Sequence, residues 1–315
     1  MRGPGVGYAI LPIFPVGVRS SVIGLLPASS QSANADFWGQ HPRESLPSLF
    51  ALASITAEQP RLFISYRQID SALLAIQLFD ALSHEGFDVF LDHFRIPPGV
   101  NFQGRLTQEL GDKSMVLLLE SEHLAQSQWV AHEISVAKSC GLGLLGLLLP
   151  RGQRQPSLDE GNRQVVSETE FEGGHFSEKA TLRADCLETI INSIKLQYDR
   201  AVVARRRMLE MSFEGALARE NCRTVMRLGN GAFDIRVPGK DYRVWLTPRP
   251  PETPDFHRAH GSVTVPAVGV IIGLSRLMEP ARAVRNVWLA GLCQLQLADE
   301  GQLVHIAREI AGGRL

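Results

Sequence analysis

Between Leu62 and Leu149 short, wholly apolar runs alternate with helix-patterned stretches, and this alternation constrains the fold more than any other feature. Leu62-Phe63-Ile64-Ser65-Tyr66 is apolar and β-prone. Asp70 to Glu85 follows, with Leu73, Ile76, Leu78, Phe79 and Leu82 at helical spacing and Gly86 as the C-terminal stop. Asp88 to Leu91 predicts a second strand, and Ile96-Pro97-Pro98-Gly99-Val100 a loop. Phe102 to Leu110 predicts a second helix, Met115 to Leu119 a fully apolar strand, and Ser127 to Ser139 a third helix with Ser127 as N-cap. Leu142 to Leu149 is a further buried strand, closed by Pro150. Strands that are apolar on both faces, with helices between them, predict a parallel sheet covered on both sides. Such sheets take ligands in the crevice beyond the carboxyl ends of their strands, so functional residues are expected after Tyr66, Asp92 and Leu119.

The rest of the chain reads differently. Arg151 to Phe176 is polar and glycine-containing, a loop. Ser177 to Glu220 predicts one or two long helices, with Leu187, Ile190, Ile191, Ile194 and Leu196 at helical spacing. Beyond it lie a Gly229-Asn230-Gly231 turn signal, a strand at Tyr242 to Leu246 ended by Pro248, and an apolar run from Val263 to Leu274. Val287 to Leu297 fits either strand or helix, and Leu303 to Ile310 predicts a closing amphipathic helix. The expected organisation is therefore an N-terminal extension over 1–60, an α/β domain over 61–155, a loop and linking helices over 156–220, and a smaller α+β domain over 221–315.

Composition narrows the function. A formal net charge of -1 over 315 residues gives no electrostatic case for direct nucleic-acid binding or for an anionic membrane surface. Arg205-Arg206-Arg207 is the one dense basic run, and it reads as a solvated helix face. Cys140, Cys186, Cys222 and Cys293 are far apart without C-x-x-C spacing, which argues against a zinc cluster and fits reduced thiols in a cytoplasm. At the N-terminus, Met1 and Arg2 precede an apolar stretch from Gly5 to Pro27, and Ala33-Asn34-Ala35 resembles a signal cleavage site. Pro4, Pro12, Pro15 and Arg19 break that stretch, so a disordered extension or a start assigned too far upstream is the preferred expectation. No uninterrupted apolar stretch is long enough for a membrane span.

Several familiar motifs fail on context. Gly141-Leu142-Gly143-Leu144-Leu145-Gly146 matches G-x-G-x-x-G, but a dinucleotide fingerprint follows a strand and opens a helix, whereas this one follows a helix and enters a strand. His257 and His260 beside Asp255 read as a polar loop rather than a metal site, and no metal is expected. Trp129-Val130-Ala131-His132-Glu133 is more telling: residues four apart share a helix face, so an indole and a carboxylate project together. Such a pair suits a planar cationic heterocycle attached to a sugar, since the ring can stack while the carboxylate holds ribose hydroxyls and steadies positive charge at the anomeric carbon. The plainer reading is an amphipathic helix with an exposed Glu and a half-buried Trp.

The motifs around this helix resemble the TIR (Toll/interleukin-1 receptor) domain family, over roughly residues 61 to 150. Phe63-Ile64-Ser65-Tyr66-Arg67 is similar to the family's first strand and following arginine, and Phe90-Leu91-Asp92 to the end of its second strand. Ile96 to Phe102 resembles its mobile loop, and Ser127-Gln128-Trp129 its entrance to the next helix. The resemblance implies a flavodoxin-like parallel sheet, here followed by a long helix and a smaller α+β domain. It also implies an NAD+ glycohydrolase of the bacterial NAD-cleaving type, with NAD as substrate and no cofactor.

By the same match Glu133 is the catalytic glutamate. Arg67, Gln68, Asp92, Phe94 and Trp129 are substrate-binding, and Pro97, Gly99 and Phe102 belong to the loop that gates access. Two departures stand out: Gln68 occupies a place where active relatives carry a second basic residue, and Pro97-Pro98 stiffens the loop. Expected partners are NAD, further copies of the chain through the TIR domain, and an unidentified trigger, ligand or protein, at 221–315. The expected role is an effector in bacterial antiphage defence or signalling. The alternatives are a non-catalytic scaffold that recruits other TIR proteins and a secreted effector acting on a host.

Overall fold

The apolar runs become two five-stranded sheets. The computed structural model describes residues 60–91, 102–124, 127–222, 225–228, 231–263, 267–275 and 278–315, with the strands at 13–15 and 36–38. Those two strands, β1 (Ile13–Pro15) and β2 (Asp36–Trp38), pair in parallel. They belong to a unit formed by Met1–Ala57 and Leu228–Asn230, and a second unit comprises Glu58–Arg227 and Gly231–Leu315.

In the second unit the chain runs β3 (Arg61–Ser65), α1 (Gln68–His84), β4 (Asp88–Leu91), α2 (Phe102–Gly111), β5 (Met115–Glu120), α3 (Gln128–Ser139), β6 (Gly143–Leu148) and β7 (Arg163–Val165). All five strands are parallel, in the order β4-β3-β5-β6-β7. Numbered within the sheet that order is 2-1-3-4-5, the flavodoxin-like winding. Every residue of β3 and β5 is buried, which is why these strands read as continuous apolar runs. Phe63 stacks on Phe90 with ring centroids 5.1 Å apart, fixing the β3–β4 pair from one face. β5 extends one residue past its apolar stretch to Glu120, which is fully buried and takes Arg163 Nε at 2.6 Å and Nη2 at 2.9 Å. This two-point ion pair pins the short edge strand β7 to the sheet.

The glycine run after α3 works as its context suggests. Gly141 turns out of the helix at φ +62, and a Cβ on Gly143 would sit 2.4 Å from Ala201 Cβ. Gly143 thus lets β6 approach the next helix, α4 (Ala184–Arg219), a single element of 36 residues and ~54 Å. One half of α4 lies on the first sheet: the buried Tyr198 packs edge-on against Phe87 at 5.4 Å, and its hydroxyl accepts from Arg61 N at 3.3 Å. The other half sends Leu209, Phe213 and Leu217 into the core of the second sheet.

That sheet contains β8 (Val225–Arg227), β9 (Ala232–Val237), β10 (Lys240–Leu246), β11 (Val268–Gly273) and β12 (Leu295–Asp299). β8, β9 and β10 form an antiparallel meander, and β10, β11 and β12 are parallel, with α5 (Thr253–Ser262) and α6 (Pro280–Leu292) as the crossovers and α7 (Leu303–Ala311) closing the chain. The result is the expected α+β arrangement. Val287 to Leu297 splits between helix and strand, the corner being made by Gln294 at φ +55.

Two readings need correction. Arg205 and Arg206 are buried rather than on a solvated face, because Arg205 pairs with Glu300 at 2.6 Å and Arg206 with Glu210 at 3.1 Å. His257 and His260 lie in α5 rather than a loop, since Pro254 falls in the first turn and Glu252 and Asp255 form a capping box.

The two sheets share a buried ion cluster. Asp112, just past α2, receives Arg61 Nη1 at 3.1 Å and also Arg282 Nη1 from α6, while Arg61 Nη2 lies 3.6 Å from Glu252. Burial raises the Asp112 carboxyl from its ordinary 3.8 to about 6, against the lowering effect of Arg61 and Lys113.

Candidate active site at the sheet switch point

Winding in the order 2-1-3-4-5 leaves a crevice where β3 and β5 end side by side and their following chains diverge. Ser65 is the last residue of β3, and Ser121 follows β5 directly. α3 crosses this end of the sheet, anchored by the buried Val130, Ile134 and Ala137. This stripe turns Glu133 inward, so that it is only 4% exposed, and Ser65 Oγ donates to Glu133 Oε2 at 2.5 Å. The reading of an exposed glutamate on an amphipathic helix is thereby set aside.

A second buried carboxylate lies nearby in the fold. Asp70, in the first turn of α1, accepts from Ser121 Oγ at 2.9 Å and His123 N at 3.0 Å, with His123 Nδ1 at 3.1 Å. These bonds tie the start of α1 to the chain leaving β5. Arg67 occupies the N-cap position of α1, and its carbonyl accepts from Ser71 N and Ser71 Oγ, both at 3.0 Å. Its side-chain Nε is buried and has no hydrogen-bond partner among the described residues. Thr107 Oγ1 on α2 stands 3.1 Å from His132 Nε2, linking α2 to the residue beside Glu133.

Of the residues singled out from sequence, Glu133 and Arg67 both follow from the carboxyl side of the sheet, and Gln68 is exposed at the first position of α1. Trp129 lies one turn before Glu133 on α3, and Phe102 opens α2. Asp92, Phe94, Pro97 and Gly99 lie outside the described residues. Ser127 holds the N-cap position of α3, but its side chain makes no capping bond. Among the described residues no group of three or more His, Cys, Asp or Glu is placed to hold a metal ion, and no helix is long and apolar enough to cross a membrane. Sequence reasoning missed Asp70, Ser121 and His123, and it used Ser65 only as part of a strand motif. Their position just past strand ends is the signal that could have found them.

The arrangement holds one carboxylate on a hydroxyl donor and another on a hydroxyl, an amide and an imidazole. Such a crevice can stabilise a cationic centre through the fixed carboxylate of Glu133.

Comparison with known proteins agrees with the fold. Residues 62–179 match the family model of the TIR domain. A curated relative from Brucella melitensis biotype 1, described as probable 2′ cyclic ADP-D-ribose synthase TcpB, is 27% identical over 111 residues, or 34% of this chain. The match spans only 44% of that relative's length. The TIR domains of the activated Roq1 resistosome, which directly recognizes the pathogen effector XopQ, superpose over 46% of this chain and 81% of that one at 17% identity. The TM-score is 0.28.

Proposed function

We infer, from the premise that residues 62–179 form a TIR domain, that the chain cleaves NAD+ at the bond between nicotinamide and ribose. The observation that carries this reading is the buried Glu133 carboxylate, oriented by Ser65 at 2.5 Å at the sheet switch point. The name of the Brucella relative, "Probable 2′ cyclic ADP-D-ribose synthase TcpB", supports the same class of chemistry.

In this reading the nicotinamide ribose lies against Glu133. The C–N bond breaks, its electron pair leaves with the ring, and nicotinamide departs neutral, so no strong general acid is needed. Positive charge develops on the ribose as an oxocarbenium-like centre, and the fixed carboxylate stabilises it. Water then attacks the anomeric carbon and releases a proton, giving ADP-ribose. Attack by an adenine nitrogen instead gives a cyclic product and also releases a proton. Ser65 is a positioning residue: its hydroxyl keeps Glu133 in one rotamer. The idle Nε of Arg67 supplies a donor for ribose or phosphate oxygen.

The reading extends to self-association through the TIR domain, with the loop of one copy completing a neighbour's site, and to an effector role in bacterial defence or signalling triggered through residues 221–315. The test is nicotinamide release from NAD+ by the full chain at several protein concentrations, beside Glu133→Ala. Release that climbs steeply with concentration and vanishes in the variant supports the reading. Release that persists in Glu133→Ala overturns the assignment of the carboxylate.

A further inference from the structure

A second cleft lies at the other end of the first sheet, where α3 stops and β6 begins, and α4 forms its far wall. Its volume is about 550 Å³, within the range of small-molecule sites. Three basic side chains line it, Lys138, Arg200 and Arg205, against one acid, Asp159. Lys138, Arg200 and Asp159 are exposed, so they can reorient toward an occupant. Arg205 cannot. It is 4% exposed, and Glu300 engages only its Nη2. Its Nε and Nη1 are buried with no partner among the described residues, and Nη1 lies over Gly141 so closely that a Cβ there would be 2.7 Å away.

A buried guanidinium with two of its three nitrogens idle is unusual, because buried charged donors are otherwise paired. The end of α3 favours the charge but gives neither nitrogen a hydrogen-bond acceptor. α3 presents its C-terminal carbonyls here, a negative end, so any anion in the cleft must be held by side chains. Apolar side chains line it as well, Leu144 from β6 and Ala201 and Met208 from α4, with Met208 Cε beside the Arg205 guanidinium over Gly141. The cleft therefore offers cationic donors with apolar surface next to them, room for a phosphate group and the flat or aliphatic group attached to it.

We propose that this cleft binds a nucleoside diphosphate or a close phosphorylated analogue, with the phosphates on Lys138, Arg200 and Arg205 and the base against Met208 and Leu144. The site is distinct from the crevice at Glu133, which lies at the opposite ends of the strands. It shares one element with that crevice, since α3 carries Glu133 five residues before Lys138, and Arg205 links the occupant to Glu300 beside the second sheet. An occupant sharing the Arg205 guanidinium with Glu300 is a means for a soluble nucleotide to bear on both sheets at once. The proposal stands independently of the NAD-cleaving reading.

The experiment is calorimetric titration of the full chain with adenosine 5′-diphosphate and, separately, inorganic pyrophosphate, at constant ionic strength in chloride. Four proteins are compared: wild type, Lys138→Gln/Arg200→Gln, Arg205→Gln, and Arg67→Gln. The expected result is a saturable binding component for the diphosphate that is weakened at least tenfold in the double variant and in Arg205→Gln and is retained in Arg67→Gln. Because Arg205 also pairs with Glu300, its variant can lose stability, and the exposed Lys138/Arg200 pair keeps the test intact. Absence of saturation overturns the site. Binding lost in Arg67→Gln but retained in the double variant moves the ligand to the Glu133 crevice and overturns it as well. Equal affinity for pyrophosphate and the nucleotide overturns the nucleotide assignment.

Discussion

Ser65 Oγ donates to Glu133 Oε2 at 2.5 Å, joining the last residue of β3 to the middle of α3 across 68 positions of sequence. A hydroxyl in this place fixes which carboxylate oxygen faces the crevice. Ser65→Ala removes one charge-assisted hydrogen bond, worth ~1.5–3 kcal/mol, so nicotinamide release is expected to fall roughly 10- to 100-fold. The loss should fall on kcat with KM nearly unchanged, because in the proposed mechanism the carboxylate acts on the developing charge rather than on the bound ground state. Steady-state kinetics of the variant decide it, and a change confined to KM would show that Ser65 serves binding.

Asp70 holds the start of α1 to the chain leaving β5 through Ser121 and His123. Asp70→Ala leaves a buried hydroxyl and an amide without their acceptor, a loss of ~2–3 kcal/mol. For a body of this size that corresponds to a fall of about 4–10 °C in the melting temperature. Asp70→Asn keeps one carbonyl oxygen and is expected to lose about half as much. Thermal unfolding of the two variants side by side gives the ratio, and equal losses would mean that the charge rather than acceptor count matters.

The first sheet was legible because burial on both faces writes itself into sequence. β3 and β5 appear as unbroken apolar runs, and Glu120 at the end of β5 was overlooked only because its partner Arg163 lies 43 residues on. β7 (Arg163–Val165) left no trace, since a three-residue edge strand with an Arg and a Gln has no apolar period. α5 was obscured by prolines, whose missing N–H is harmless in a first turn. The spacing of Glu133 to Trp129 drew attention to it, but its burial was not legible in one helix and its proposed role came from the resemblance to the TIR family. Ser65, Asp70 and Arg205 were not legible, because what distinguishes them is a partner, or the lack of one, brought near by tertiary packing.

Asp112 gives the second unit a characteristic pH response. Burial raises its pKa from 3.8 to about 6, so the folded state holds the proton more tightly than the unfolded chain. Its contribution to stability is therefore full below pH 3.8 and is lost as pH rises through 6. A shift of this size is on the order of 2–3 kcal/mol. Asp199, raised to about 6 by burial with Lys195 opposing, acts in the same direction. Asp112→Asn abolishes the first contribution, so the stability of wild type relative to the variant should fall by ~2 kcal/mol between pH 4 and pH 7. Denaturant midpoints across that range measure it, and a difference independent of pH would place the titration elsewhere.

Gly143 tests the close approach of β6 to α4, which also forms one side of the basic cleft. A methyl group there would lie 2.4 Å from Ala201 Cβ, and neither a strand backbone nor a helix backbone can yield cheaply. Gly143→Ala should destabilise the protein by ~1–3 kcal/mol through overpacking. Gly161→Ala is the control, since nothing lies within 4 Å of the added carbon, and its effect should stay within about 0.5 kcal/mol. Replacing Ala201 by Gly removes the opposing methyl. The double variant Gly143→Ala/Ala201→Gly should then recover part of the loss, giving a coupling of at least about 0.5 kcal/mol in a double-mutant cycle. Additive losses in that cycle would mean that β6 and α4 are not in contact at these two residues, and that the glycine serves the strand rather than the helix that lies on it.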